Sequence, residues 1–179
     1  MRTPRAITVR LLAVLLPVAL LLGACGSGPS PQAWAATVCQ ALTPWRAEIN
    51  KLTSVSQQEM TARTTPAQAK ENLVRLMGGA EQATETARKK IADAGVPDAE
   101  QGASVSHGFL NSLSAVRDAY GRARASIEGL RTDQSSTFYD GVQQTVERLT
   151  AEYKASSVDT TKLNSTELER AFNEVPECR

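Results

Sequence analysis

The sequence predicts an all-α fold, an up-down four-helix bundle with a short C-terminal helix, over residues 31–179. From Pro31 onward, apolar residues recur at alternating spacings of three and four, which is the period of an amphipathic helix. Short polar stretches divide this pattern into four long segments, and no alternating apolar and polar run indicates a strand. Amphipathic helices joined by short connections pack most simply up and down around one core. At 179 residues, the chain accommodates one such domain.

The first helix begins with an N-cap at Ser30 and a proline at its first position. Pro44 removes a backbone hydrogen bond, so we expect a kink or a restart there. The polar stretch 53–65 is predicted to be a loop. The apolar stripe of this helix comprises Trp34, Val38, Ala41, Trp45, Ile49 and Leu52.

The second helix opens at Thr65-Pro66-Ala67-Gln68, which has the form of a capping box with proline at the first helical position. Gly78-Gly79 interrupts its pattern. We interpret the two glycines as a close helix crossing or a break rather than as a hinge. The predicted stripe comprises Ala69, Leu73, Leu76, Ala80, Ala83, Ala87 and Ile91.

The third helix has the most regular pattern in the chain. Gly95 ends the second helix and Asp98 is expected to cap the third, which should be about 50 Å long at 1.5 Å per residue. Its stripe comprises Val105, Phe109, Leu113, Val116, Tyr120, Ala123, Ile127 and Leu130.

The fourth helix is predicted to start within residues 133–136, and a polar turn follows it at residues 156–162. A short helix then opens at Thr166 and is stopped by Pro176. The fourth helix carries the stripe Phe138, Val142, Val146, Leu149 and Tyr153, and the short helix carries Leu168 and Phe172.

The first 24 residues have the features of a secretory signal peptide. Arg2, Arg5 and Arg10 precede an apolar run of 13 residues, Leu11 to Gly23. A membrane-spanning helix is the alternative, but crossing a bilayer takes about 20 apolar residues.

The run ends in Leu22-Gly23-Ala24-Cys25, which resembles the lipobox of bacterial lipoproteins. This resemblance implies that the signal peptide, residues 1–24, is cleaved after Ala24 and that the Cys25 thiol is joined to diacylglycerol. The protein would then be anchored on the extracytoplasmic face of the cell membrane, because two buried acyl chains give stable anchoring. The whole layout is similar to small helical lipoproteins of actinobacterial type that have no assigned activity. Ordinary secretion with Cys25 left free is the alternative.

Residues 25–30 are predicted to be a flexible tether, because Gly26-Ser27-Gly28-Pro29-Ser30 has flexible composition and low apolar content. Once Cys25 carries lipid, only Cys39 and Cys178 remain, and outside the cytoplasm they should form one disulfide. A redox or metal-binding thiol pair is the alternative, although no C-x-x-C motif occurs and no histidine lies near either cysteine.

Composition excludes several classes of function. The 20 lysines and arginines are balanced by 19 acidic residues, so there is no basic excess to bind nucleic acid. No sequence motif of a hydrolase, metalloprotease, nucleotide-binding or calcium-binding site occurs. His107, the single histidine, is expected at the surface or in a groove, with a pH-sensitive contact or a catalytic base as alternatives. We therefore expect no catalytic residue, metal or cofactor.

Two sets of residues could contact a ligand or partner. Arg117, Arg124 and Arg131 repeat every seven residues along the third helix. Their side chains are expected to cover the flank of the core, and a docking strip for anionic headgroups or an acidic partner is the alternative. Trp34 and Trp45 are expected in the core, or else in a ligand pocket lined with Met77 and Phe109.

The sequence thus predicts a membrane-anchored, non-catalytic lipoprotein of the cell envelope that acts through protein or envelope contacts. A helical bundle that binds a small apolar or lipidic ligand is the alternative. An enzyme that uses His107 is a third hypothesis.

Overall fold

The structure, a computed structural model, describes residues 28–156 and 163–179. These residues form five α-helices and one short 3₁₀ turn, with no strand among them. The predicted all-α fold is therefore confirmed. The signal peptide, Cys25 and most of the predicted turn at residues 156–162 lie outside the described residues. The helices are α1 (Pro31–Glu59), α2 (Pro66–Asp93), α3 (Gly102–Gly129), α4 (Ser135–Ser156) and α5 (Thr166–Glu174), and the 3₁₀ turn is Pro176–Cys178.

The helices pack as a bundle in which α1 contacts α2, α2 contacts α3 and α3 contacts α4. The side of the bundle that α1, α2 and α3 leave open is covered by α4 and α5 together. α5 packs on α1 and covers the N-terminal half of α3, and α4 covers its C-terminal half. The α5-side core is centred on Trp34, Val38, Ile91, Phe109, Leu168 and Phe172. The α4-side core is centred on Leu73, Met77, Ala123 and Ile127.

A disulfide joins Cys39 of α1 to Cys178 of the 3₁₀ turn, as predicted, with the two Cα atoms 5.1 Å apart. The bonded residues are separated by 139 positions in the sequence. In the chain-entropy model, closing a loop of this size stabilises the fold by about 5 kcal/mol. The bond holds the C-terminal end of the chain against α1.

Helix α1 is longer and more regular than predicted. It continues through Pro44 without a break and includes residues up to Glu59, so both the predicted restart and most of the predicted loop are wrong. Pro44 is exposed, and water can solvate the carbonyl group that lacks its helical donor. Packing on α2 along the length of α1, from Ala41 to Leu52, outweighs this local cost.

The start of α3 also differs from the prediction. Asp98 does not cap the helix, because residues 98–101 form a turn and the N-cap position is Gln101, which has a positive φ of 59°. Gly102 lies so close to Pro97 that a Cβ atom would be 2.2 Å from the Pro97 carbonyl oxygen. α3 is therefore about 42 Å long rather than 50 Å, since its 28 residues each rise 1.5 Å.

Two predicted stripes are corrected in part. In α2, Met77 and Thr84 are buried. The sequence pattern selected Leu76 and Ala83 instead at these two turns of the helix. Each buried residue is the next one along the helix, so the buried face is rotated slightly from the prediction. In α4, Phe138 is buried but Val146 and Tyr153 are exposed.

Gly79 marks a close crossing of α1 and α2, in agreement with the packing interpretation. A Cβ atom at this position would lie 2.9 Å from both methyl carbons of Leu52. Helix α2 is continuous through both glycines.

We expect Gly79→Ala and Gly108→Ala to have opposite effects on stability. Gly108 is helical and exposed, with no atom near the position of a Cβ, so alanine should add about 1 kcal/mol through helix propensity. At Gly79, crowding against Leu52 should cancel or reverse that gain. Urea unfolding measures both changes. Equal stabilisation by the two substitutions would contradict the close crossing. If Gly79→Ala raises the free energy of unfolding only when Leu52 is also replaced by alanine, the close crossing is supported.

Candidate functional site

The start of the domain is tied to the turn between α2 and α3. Pro29 accepts a backbone hydrogen bond from Asp98 N at 2.8 Å, and Ser30 Oγ accepts one from Ala33 N at 3.2 Å. A Cβ atom on Gly28 would lie 2.0 Å from the Val96 carbonyl oxygen, so only glycine fits there. The predicted tether, residues 25–30, is therefore too long at its C-terminal end, because residues 28–30 are packed on the fold.

Trp34 lies at the centre of the α5-side core and is fully buried. Its indole Nε1 donates to the Gly95 carbonyl oxygen at 3.0 Å. Its ring meets Phe109 and Phe172 edge-on, with centroids 5.5 and 6.0 Å away. Trp34 therefore packs in the core, as the first of the two predicted roles requires, and presents no surface to a partner.

The structure does not assemble the predicted ligand pocket. Trp34 and Phe109 contact each other in the α5-side core, and Met77 belongs to the α4-side core at the other end of the bundle. Trp45 is separate from all three. Its indole Nε1 donates to Thr84 Oγ1 at 3.0 Å, across the interface between α1 and α2.

Trp45 instead lines an open groove of about 390 Å³ between α1 and α2, here called the α1–α2 groove. Small side chains form much of its lining, and Glu48 and Lys90 contribute the charged groups. The lining residues are Ala41, Pro44, Trp45, Glu48, Gly79, Gln82, Ala83, Thr86, Ala87 and Lys90.

The three arginines predicted as a line on α3 all form ion pairs within the chain. Arg117 Nη1 lies 2.9 Å from Glu85 Oε2, and Arg131 Nη2 lies 2.6 Å from Asp133 Oδ2. Arg124 Nε lies 3.1 Å from an oxygen of Glu81, without hydrogen-bonding geometry. Arg117 and Arg124 therefore bridge α3 to α2. The Arg131 side chain, by contrast, is 83% exposed and pairs with Asp133, two positions along the chain.

Glu85 is the centre of this ion-pair network. Its carboxylate accepts two hydrogen bonds from Arg88, both 2.8 Å, and one from Arg117 at 2.9 Å. These hydrogen bonds, first those from Arg88 and then that from Arg117, lower the pKa of Glu85 from 4.5 to about 2. The charged carboxylate therefore stabilises the contact between α2 and α3.

Glu81, Glu85 and Arg88 are not among the residues predicted from the sequence. The spacing of three residues between Glu85 and Arg88 on a helix is the signal that would have indicated an ion pair. Nothing local could reveal the second partner, because Arg117 is 32 positions away. Gly121 of α3 makes room for Glu81, since a Cβ atom there would lie 3.1 Å from its carboxylate.

Helix α4 has an exposed apolar flank, formed by Tyr139, Val146 and Tyr153 at spacings of seven residues. These side chains are 44%, 41% and 40% exposed, and only Phe138 and Thr145 of α4 are buried. Tyr139, Val146 and Tyr153 therefore form a line two heptads long, which lies beside the face of α4 that packs on α3.

His107 is exposed on the second turn of α3. Within residues 28–156 and 163–179, no group of three His, Cys, Asp or Glu side chains is placed to hold a metal ion. Among these same residues, no helix combines the length and the hydropathy needed to cross a membrane.

Comparison of the chain with protein-family models, curated proteins and solved structures found no match. No relative therefore supplies a function, and a proposal depends on the residues described above.

Glu85→Gln should flatten the dependence of stability on pH in acid. The folded-state pKa of Glu85 is about 2, below its ordinary value of 4.5. The contribution of this carboxylate is therefore fully present above pH 4.5 and is lost as the pH falls from 4.5 toward 2. The free energies of unfolding of wild type and of Glu85→Gln, measured in urea between pH 4.5 and pH 2, should become equal at the acid end. The exposed Glu128→Gln of α3 is the control; convergence for that variant instead would contradict the prediction.

Proposed function

We propose that this protein is a membrane-anchored, non-catalytic lipoprotein of the cell envelope that acts by binding another envelope protein. The lipobox resemblance at Cys25 supports the anchor. The exposed flank of α4 is the observation that carries the binding role, because three large apolar side chains in one line are costly to leave in water.

The partner chemistry that fits this flank is an amphipathic helix. Residues spaced by seven along a helix form a seam that a second helix can follow, with one large side chain meeting the partner about every two turns. Tyrosine suits such a contact, since its ring is buried while its hydroxyl reaches water at the edge. The pairing of Arg117 and Arg124 with α2 disfavours an acidic partner on α3.

Crosslinking and mass spectrometry on native membranes test this function. We expect wild type to yield crosslinks from α4 to one partner, and Cys25→Ala to lose them because the released protein no longer meets that partner at the membrane. Val146→Glu should remove the crosslinks while retaining the anchor, since a charge in the seam opposes burial. Gln144→Glu places the same charge on the other exposed flank of α4 and is the matched control.

Several outcomes would reject the proposal. Equal loss of crosslinks in Val146→Glu and Gln144→Glu would exclude the seam as the contact. Crosslinks between two copies of this chain would show that the protein binds itself rather than another envelope protein. An N-terminal peptide without diacylglycerol on Cys25 would exclude the anchor.

A second candidate function is the binding of a small apolar ligand in the α1–α2 groove. Its volume of about 390 Å³ falls in the range of small-molecule sites, and Trp45 supplies an aromatic surface beside small apolar residues.

Tryptophan fluorescence separates this candidate from the first. Brominated dodecanoic acid in the groove should quench Trp45, whereas the fully buried Trp34 should keep its emission. Trp45→Phe should abolish the quenching, because Trp34, the indole that remains in this variant, lies outside the groove. An absence of quenching in wild type, or equal quenching in both proteins, would reject this site.

A further inference from the structure

We propose that the bundle stands upright on the membrane, resting on the turn between α2 and α3, residues 94–101, with Val96 against the lipid headgroups. This turn and the start of α1 are here called the proximal end. The turns at residues 60–65 and 130–134 form the distal end. This inference rests on the proposed anchor at Cys25 and deepens it by naming the surface that meets the bilayer.

The length of chain between the lipid and the fold is the first argument. Three peptide units separate Cys25 from Gly28, and they reach about 11 Å at most when fully extended. An anchor at Cys25 therefore holds Gly28 within about one helix diameter of the headgroups.

The fold determines which surface accompanies Gly28. Gly28 is packed against the Val96 carbonyl group, and Asp98 N donates to the carbonyl oxygen of Pro29. Pro31 is buried at the first position of α1. These contacts fasten the chain to the proximal end, so the anchor holds that end at the membrane.

In the proposed upright orientation, the lengths of the helices set how far the distal end lies from the membrane. α1 and α2 contain 29 and 28 residues, which makes each about 42 Å long. In the upright orientation, the distal end and the start of α4 therefore lie far above the surface. Tyr139 and Val146 then remain available to a protein partner.

The proximal end exposes a large apolar side chain, and its charges do not favour contact with anionic lipid. Val96 is 43% exposed at the tip of the turn. Three exposed carboxylates outnumber the two exposed lysines nearby: they are Asp93, Asp98 and Glu100, against Lys89 and Lys90. Anionic headgroups therefore do not attract this end, so the lipid, rather than the protein surface, holds the domain in place.

Fluorescence quenching in proteoliposomes tests the orientation. The full lipidated protein would carry a thiol-reactive fluorophore at Val96→Cys, at Ala62→Cys on the distal end, or at Thr150→Cys on α4. All three positions are exposed, and the mass of the bridged peptide would verify that Cys39–Cys178 is intact. Vesicles of phosphatidylcholine that carry a nitroxide quencher on the headgroup should quench the probe at residue 96 several-fold more than the other two.

The outcomes separate the orientation from the anchor. Quenching at residue 62 or 150 equal to that at residue 96 would overturn the upright orientation even with lipid on Cys25. A Cys25 peptide without lipid would overturn the proposed anchor and the orientation with it. A long Gly-Ser insertion between Ser27 and Gly28 should preserve lipidation and reduce quenching at residue 96. Unchanged quenching would show that the short tether does not set the orientation.

Discussion

The buried indole of Trp34 is the interaction on which one whole end of this bundle depends. Its N–H group satisfies the Gly95 carbonyl group in the turn between α2 and α3, and its ring packs edge-on against Phe109 and Phe172. One side chain thereby positions α1, α3, α5 and a turn against each other. Edge-on aromatic contacts and a satisfied indole hydrogen bond define one orientation for the ring.

The disulfide strengthens the same end. Cys39 lies one and a half turns beyond Trp34, and its bond to Cys178 holds the last residues of the chain beside α1. The contacts of residues 28–31 with the turn between α2 and α3 lie here too. The first and last described residues of the chain are therefore both held at the α5-side end.

Helix α4 contrasts with this end of the molecule. Two of its side chains are buried, and its packing is mainly on α3. Few buried apolar contacts make a segment easier to open locally than the rest of a domain. The same sparseness leaves Tyr139, Val146 and Tyr153 at the surface, where the proposed partner helix would meet them. A short anchor at the well-tied end and a binding seam on α4 would place structural and recognition roles on different parts of one small domain.

The helical fold, four of the five helix starts within about two residues, and the disulfide could all be predicted from the sequence. Helical periodicity and capping are local, and the cysteine pairing followed by elimination. The sequence also predicts a signal peptide and resembles a lipobox at Cys25, and both stay predictions. The remaining features depend on contacts between helices. Packing on α2 carries α1 through Pro44, and the close contact of Pro97 with Gly102 delays the start of α3. Glu85 meets Arg117 only because α2 and α3 pack together, while the predicted pocket fails because Met77 lies in a different core from Trp34. Periodicity shows which face of a helix is apolar; which neighbour covers that face, or whether any does, depends on contacts between residues distant in the chain.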